Sequence, residues 1–552
     1  MRRLFLDPPP RKPPSSTHVV LLSSLWLAVF GNFALWHSLM QLSDLSGWRS
    51  WVFGAALALI IASVLTVVLS LLAWRWSLKF AISGLLLCAG FATHFMWRYA
   101  IVVDTPMLVN MLHTDSREAL EQLSPPLVLT VAGITAWPLW WLWRQAWQPL
   151  PWNQQILRNL ELCLVAMLVT LASTFAVFPD LASVMRNHPE LRYKINPLNT
   201  LYALLDLTVI PPEQRSGTLL PLGEDAHRVA RADSTAARPP LLVLVLGETA
   251  RSNNFSLNGY PRLTNPLLSR ENVVSFRQVT ACGTSTAESL PCMLSPLGRE
   301  AFNSRQHESE NLLDVLQRSG YAVLWMDNQS GCKGLCDRIP HVNTSALKLA
   351  GECEGGECRD TVMLARIDAE LAKLPPEQRA RGVVVVMHQM GSHGPAYHKR
   401  TPQAFKTFQP ECQENALSPC DRQQLINAYD NTLVFTDYFL SRLIGWLKAQ
   451  EKNNATAMLY VSDHGESLGE NNLYLHGLPF RMAPEVQKQV AMISWLSPSF
   501  ERWSGVSTAC LTQQRDRPLS HDNLFHSVLG VMSVQTREYL AERDIFVACR
   551  AR

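Results

Sequence analysis

Five runs of nearly unbroken apolar residues fill the first third of the chain, at 17–42, 51–74, 78–97, 125–143 and 159–178. Each approaches or exceeds the ~20 residues that a helix needs to cross the hydrocarbon layer of a bilayer. A helix in a soluble bundle would keep a polar stripe with a 3.6-residue period. These runs are apolar on every face and carry tryptophans near their ends, where a membrane interface would lie. They predict five transmembrane helices.

The basic residues orient those helices. Arg2, Arg3, Arg11 and Lys12 precede the first run, Arg75 and Lys79 separate the second from the third, and Arg144 and Arg158 separate the fourth from the fifth. Basic loops stay on the cytoplasmic side. The opposite loops hold only Arg49, Arg98 and Arg117, the last among acidic neighbours, so everything after Phe178 is expected outside. The first run is too long for the core of a cleaved signal peptide, and no small-residue cleavage site follows it closely.

Cysteine placement tests that topology independently, because oxidised pairs persist outside the cytoplasm and are rare within it. Of twelve cysteines, Cys88 and Cys163 lie inside apolar runs and the other ten follow the last one. Eight form close pairs in sequence: Cys282 with Cys292, Cys332 with Cys336, Cys353 with Cys358, and Cys412 with Cys420. Cys510 and Cys549 remain for each other. Zinc knuckles would need second pairs or histidines at finger spacing, which these pairs lack, so five disulfides are expected. A net charge of +3 with no basic run gives nucleic acid nothing to bind.

These features divide the chain into a five-helix transmembrane domain (1–180), a bridging amphipathic segment and linker (181–239) and an outer domain (240–552). Within the linker, 198–207 is apolar enough to lie on the bilayer or pack on the soluble domain. From Leu241 onward the runs LLVLVLG, YAVLWMD, VVVVMHQ, AMLYVSD and VAMISWLS alternate with helical patterns. That alternation predicts an α/β domain with a mainly parallel central sheet flanked by helices. Sites in such sheets form beyond the carboxyl ends of strands, where residues distant in sequence converge.

Polar residues of the right chemistry stand at those ends. Asp463 and His464 open DHGES directly after a buried strand, with His476 nearby in LYLHG, and Glu248 follows the first strand. Carboxylate, imidazole and hydroxyl donors suit zinc better than magnesium or copper. Glu248 is too polar to extend its buried run and is a poor helix cap. The segment CGTSTAESLPC puts Thr284, Ser285 and Thr286 where a helix begins, and a helix start offers N–H groups to phosphate oxygens. Spacing does not choose the nucleophile among the three hydroxyls. In DTPMLVNMLHTDSREALEQL, Asn110, Thr114 and Glu118 recur every four residues and would share one helical face near the membrane surface.

The ordered motifs GETARSNNFSLNGY, CGTSTAESLPCM, DNQSGCKG, HQMGSHGPAY and SDHGESLGE, after five apolar runs, resemble the lipid A phosphoethanolamine transferases, including the mobile colistin resistance enzymes, of the alkaline phosphatase superfamily. The resemblance implies that Thr286 is the nucleophile and that Glu248, Thr286, Asp463 and His464 hold one tight Zn2+, with a second possible when substrate is loaded. It assigns Ser330, Lys333, His393 and His476 to substrate, and places Asn110, Thr114 and Glu118 beside the amino-alcohol head group. It further implies phosphatidylethanolamine as donor, lipid A as acceptor, an inner-membrane location with the catalytic domain in the periplasm, and a monomer. Related transferases act on core sugars or glucans, and superfamily members move glycerol phosphate or cleave phosphodiesters. Sulfatase chemistry would need a cysteine or serine in a C-x-P-x-R-like context, which the threonine run does not supply.

Overall fold

The computed structural model describes residues 15–42, 47–113, 119–120, 122–145, 150–188, 190–209, 219–229, 238–354, 357–414 and 420–551. Arg2, Arg3, Arg11, Lys12, Thr114, Arg117, Glu118 and parts of the 181–239 linker lie outside them. The chain divides into two compact units, one formed by 1–105 with 123–207 and the other by 106–122 with 208–552.

The first unit is helical. Its main elements are α1 (Ser16–Phe30), α2 (Phe33–Met40), α3 (Trp48–Leu71), α4 (Leu78–Tyr99), α6 (Pro125–Arg144) and α7 (Trp152–Ala176); α5 (Thr105–His113) belongs, after Thr105, to the second unit. Four of these, α3, α4, α6 and α7, are long and apolar enough to cross a membrane, and α1 with α2 would make a fifth if the bent pair is one span. The first run is therefore not one straight helix: it breaks at Gly31–Asn32 and bends by 49°. The cause is local. Asn32 Nδ2 donates to Leu27 O and Ala28 O, both at 3.1 Å; Leu27 O also accepts the Gly31 N–H at 3.0 Å, so the amide's part is to supply Ala28 O with a donor where the helix breaks in an apolar interior. It also donates to Asn196 O at 2.6 Å, while Asn196 N–H returns to Asn32 Oδ1 at 2.8 Å. Asn196 Nδ2 continues to Gly31 O and Ala89 O, both at 2.9 Å. The apolar stretch of the linker forms a helix, Leu198–Val209, grouped mostly with this unit.

The second unit is built on seven strands: β1 (Pro240–Gly247), β2 (Val273–Phe276), β3 (Ala322–Asp327), β4 (His341–Asn343), β5 (Val383–His388), β6 (Ala455–Ser462) and β7 (Met492–Leu496). Their order is β2-β7-β6-β1-β5-β3-β4. Strands β6, β1, β5, β3 and β4 run parallel, whereas β7 is antiparallel to both β6 and β2. The sheet is thus mixed and mostly parallel. β1, β3, β5 and β6 are buried along their whole length, as expected of strands covered on both faces. Five disulfides join Cys282 to Cys292, Cys332 to Cys336, Cys353 to Cys358, Cys412 to Cys420, and Cys510 to Cys549, leaving Cys88 and Cys163 as thiols.

Candidate active site

The register of the sheet brings the polar strand ends together. Ser462 pairs with Gly247 across β6 and β1, and Leu246 pairs with His388 across β1 and β5, so Asp463, Glu248 and Gln389 leave the sheet side by side. Gly247 is required there, because a Cβ would run into the Tyr460 ring. Thr249 then takes a left-handed φ of 52°, a conformation that costs a non-glycine residue roughly 1–2 kcal/mol. Its N–H donates to Asp463 Oδ1 at 3.2 Å and ties the two strand ends to each other.

Glu248, Asp463 and His464 are fully buried, and one ligand-type atom from each lies within 4.8 Å of the others. His464 Nε2 is 3.4 Å from both Glu248 Oε1 and Asp463 Oδ2. Thr286 Oγ1 donates to Glu248 Oε2 at 3.0 Å and lies 3.4 Å from His464 Nε2. Thr286 opens the helix Thr286–Met293, with Ser285 at the cap, so it is the hydroxyl of the T-S-T run that faces the cluster. Thr284 instead donates its hydroxyl to Leu478 O at 2.6 Å.

The electrostatics of this cluster call for a cation. Burial drives the His464 pKa down to about 3, and its Nδ1–H is spent on Gly465 O at 3.0 Å, so a neutral Nε2 lone pair faces the carboxylates. Burial pushes the Asp463 carboxyl up, but it is held below its usual value, and the N–H groups of Thr249 and His464 that it accepts favour the charged form whatever the state of the imidazole. No hydrogen-bond donor among the described residues reaches its buried Oδ2. Two buried carboxylates beside a neutral imidazole are strongly unfavourable unless a positive charge joins them. A tetrahedral metal fits this donor set: two carboxylate oxygens, one imidazole nitrogen and one hydroxyl. Among the described residues the other metal-type group, Cys332 and Cys336 with Asp337, has its two sulfurs joined in a disulfide.

Around the cluster stand the other residues expected from sequence. His476 packs its ring 4.2 Å from that of His464 and 5.9 Å from that of His393. Its Nδ1–H is held by Glu466 Oε2 at 3.1 Å, and Glu466 Oε1 accepts from Tyr397 OH at 3.0 Å. Lys333 lies in a loop turned by left-handed residues at Gly331, Lys333 and Gly334, and its Nζ donates to Ser330 Oγ at 2.9 Å. Lys333 and Ser330 therefore contact each other. Of the trio spaced four apart, Thr114 and Glu118 lie outside the described residues; Asn110 is half-buried on α5. On the same helix, the Met107 sulfur lies 3.4 Å from where a Cβ on Gly477 would sit, next to His476.

Three residues of the site escaped sequence reasoning. Gln329 Nε2 donates to Glu248 Oε2 at 2.6 Å, and its own N–H is held by Asp327 Oδ1 at 2.9 Å. Glu466 sits inside DHGES without an evident task until its contact with His476 is seen. His521, buried, donates Nε2–H to Ser462 O at 2.9 Å and accepts Cys282 N–H on Nδ1 at 3.1 Å, joining the Asp463 strand end to the segment leading into Thr286. Nothing marks His521 in sequence beyond its being one histidine among fifteen.

Comparison with known proteins agrees with this architecture. Residues 240–534 match the Sulfatase family and residues 61–209 match the family described as phosphoethanolamine transferase EptA/EptB. The phosphoethanolamine transferase EptA of Escherichia coli (strain K12) is 37% identical over 542 residues, covering 96% of each chain. The phosphatidylethanolamine transferase Mcr-1 of Escherichia coli is 34% identical over 538 residues, covering 96% of this chain and 97% of the relative. Among solved structures, the integral membrane protein lipooligosaccharide phosphoethanolamine transferase A (EptA) of Neisseria meningitidis superposes with a TM-score of 0.91 at 32% identity, over 98% of this chain and 99% of its own. With relatives of this identity aligned over nearly its whole length, the chain belongs to the phosphoethanolamine transferase family, on the fold of the alkaline phosphatase superfamily.

Proposed function

We propose that this enzyme transfers phosphoethanolamine from phosphatidylethanolamine to a phosphate of lipid A through a covalent adduct on Thr286. The observation that carries the reading is the Thr286 hydroxyl, 3.0 Å from Glu248 and 3.4 Å from His464 at a buried cluster suited to zinc. Glu248, Thr286, Asp463 and His464 would hold one Zn2+, which lowers the pKa of the hydroxyl and offsets charge on the phosphoryl oxygens. A second ion at His393 and His476 on substrate loading is compatible with their proximity.

In the first displacement Thr286 Oγ attacks phosphorus as its proton passes to His476, the bond to the diacylglycerol oxygen breaks, and diacylglycerol leaves with that proton. The start of the Thr286 helix and the Lys333 ammonium favour the phosphoryl oxygens. Glu466, also held by Tyr397, keeps the His476 ring oriented to deliver that proton. In the second displacement an oxygen of a lipid A phosphate attacks the same phosphorus, forming a diphosphate and restoring the Thr286 hydroxyl. Asn110, Thr114 and Glu118 take the ethanolamine ammonium. A membrane-embedded helical unit suits a reaction whose donor and acceptor are both lipids, and the added amine lowers the negative charge that polymyxins bind. We place the helices in the inner membrane and the catalytic unit in the periplasm, and expect a monomer.

Incubating the purified enzyme with phosphatidylethanolamine and no acceptor should release diacylglycerol and add a phosphoethanolamine mass to the Thr286 peptide, read by mass spectrometry. Thr286→Ala should do neither, whereas Thr284→Ala and Ser285→Ala should still form the adduct. Rapid transfer to lipid A by Thr286→Ala would sink the covalent route.

A further inference from the structure

Strand β3 ends in Asp327, and the loop that follows it carries Gln329, Ser330 and Lys333. Asp327 is buried, at 4% exposure. An ionised carboxylate offers about four acceptor positions, and donors stand at all of them. Toward the sheet, Oδ2 accepts Trp325 Nε1–H at 2.9 Å and His388 Nδ1–H at 3.0 Å. Toward the loop, Oδ1 accepts the backbone N–H of Gln329 at 2.9 Å and that of Gly331 at 3.1 Å. Burial raises the pKa of this carboxyl, but His388 and the hydrogen bonds from Trp325 and Gly331 hold it below its usual value. Its backbone oxygen accepts the N–H and the hydroxyl of Thr344, at 2.7 and 2.8 Å, so main chain and side chain are both fixed.

The loop clamped in this way touches the cluster at two places. Gln329 Nε2 donates to Glu248 Oε2 at 2.6 Å, the oxygen that also accepts the Thr286 hydroxyl at 3.0 Å. Gln329 Oε1 accepts the Ser330 N–H at 3.0 Å and the Ser330 hydroxyl at 2.9 Å, and Ser330 Oγ in turn accepts Lys333 Nζ at 2.9 Å. A continuous run of hydrogen bonds therefore leads from the Asp327 carboxylate to Glu248 in one direction and to the Lys333 ammonium in the other. The loop does not hold this shape by backbone preference. Lys333 takes a left-handed φ of 52°, and such a conformation in a non-glycine residue persists only where the surroundings over-determine it.

We propose that Asp327 is a positioning residue for the transfer reaction: its carboxylate clamps the Gln329 and Gly331 amides so that Gln329 fixes Glu248 while Ser330 fixes Lys333. This assignment rests on the transfer reaction proposed above. A residue that holds a metal ligand directly changes metal affinity by roughly 10- to 100-fold. Asp327 acts one residue further back, through Gln329, so the lower end of that range is expected.

In full-length protein in detergent, Asp327→Ala should bind Zn2+ roughly tenfold more weakly in competition with a chelator, and should form the Thr286 adduct from saturating phosphatidylethanolamine roughly tenfold more slowly in a single turnover. A misfolded fraction lowers the amplitude of a single turnover but not its rate constant, so a purely structural role would leave the rate constant unmoved. Asp327→Asn should fall between wild type and Asp327→Ala. Its amide oxygen can keep the two backbone N–H groups, which cannot adapt, while its Nδ2–H faces His388, whose ring can change tautomer to accept it. Loss of the charge weakens the bonds that remain. Trp325→Phe removes a donor from the sheet side alone, and should lower the thermal midpoint while keeping both the zinc affinity and the rate constant. Wild-type values of both in Asp327→Ala would overturn the assignment, as would losses of the same size in Trp325→Phe. Should Asp327→Ala not fold, Asp327→Asn decides, and wild-type values there overturn the assignment. A wild-type enzyme that makes no Thr286 adduct would instead overturn the transfer mechanism, and the zinc measurement still reads the hold on Glu248.

Discussion

An imidazole nitrogen that accepts a backbone N–H cannot carry a proton, and this is the position of Nδ1 in His521. Burial lowers the pKa of this histidine to about 4, against some help for the charged form from Ser462 O, Asp463 and Asp522. A folded pKa below the unfolded value of about 6.5 gives stability that is fully present above that value. It is lost as pH falls from about 6.5 toward 4, a loss on the order of 3 kcal/mol. The metal-stripped full-length protein should accordingly show a thermal midpoint that falls on acidification. His521→Gln, which can keep a donor toward Ser462 O but does not titrate, should flatten part of that fall. Identical pH profiles for the two proteins would show that His521 does not govern the response. The same residue joins the strand end at Ser462 to Cys282, so the variant should also lose kcat more than KM, as expected when a nucleophile is misplaced.

At the scale of elements, the division of the first apolar run into α1 and α2 depends on one side chain. Hydropathy read over 17–42 reports only that the stretch is apolar; Asn32 decides that it bends, because its amide reaches Leu27 O, Ala28 O and Asn196 O together. Replacing Asn32 by Leu would leave Ala28 O and Asn196 O without this donor, while Leu27 O keeps the Gly31 N–H, at roughly 1–3 kcal/mol per stranded group. The detergent-solubilised Asn32→Leu protein should therefore unfold at a clearly lower temperature than wild type. An unchanged midpoint would mean that the carbonyls find other donors. Strand elements were more legible. LLVLVLG and AMLYVSD read as buried parallel strands because they are apolar up to their carboxyl ends, and they form adjacent strands β1 and β6. VAMISWLS reads the same way yet runs antiparallel as β7, since composition carries no direction.

For the whole molecule, the two lines of topological reasoning are physically independent. Basic loops respond to membrane insertion, whereas ten cysteines paired within 282–549 respond to the redox state of a compartment. Both put the catalytic unit outside the cytoplasm. An alkaline phosphatase reporter fused after Arg552 should be active in cells, while a β-galactosidase reporter at the same place should be inactive; the reverse pattern would overturn the orientation.

What the sequence determined by itself was local or periodic: apolar lengths matched to a bilayer, strand composition, close cysteine pairs and the motif residues at strand ends. These properties are written in neighbouring residues and need no knowledge of partners. Only the tertiary structure decided which hydroxyl of the T-S-T run meets Glu248, that Gln329 and Glu466 hold Glu248 and His476, and that His521 joins two distant segments. Each of these depends on sheet register, which aligns Gly247 with Ser462 and Leu246 with His388. Register is set by packing between segments far apart in the chain, and a buried polar group acquires its role only when that packing removes water and leaves it one partner.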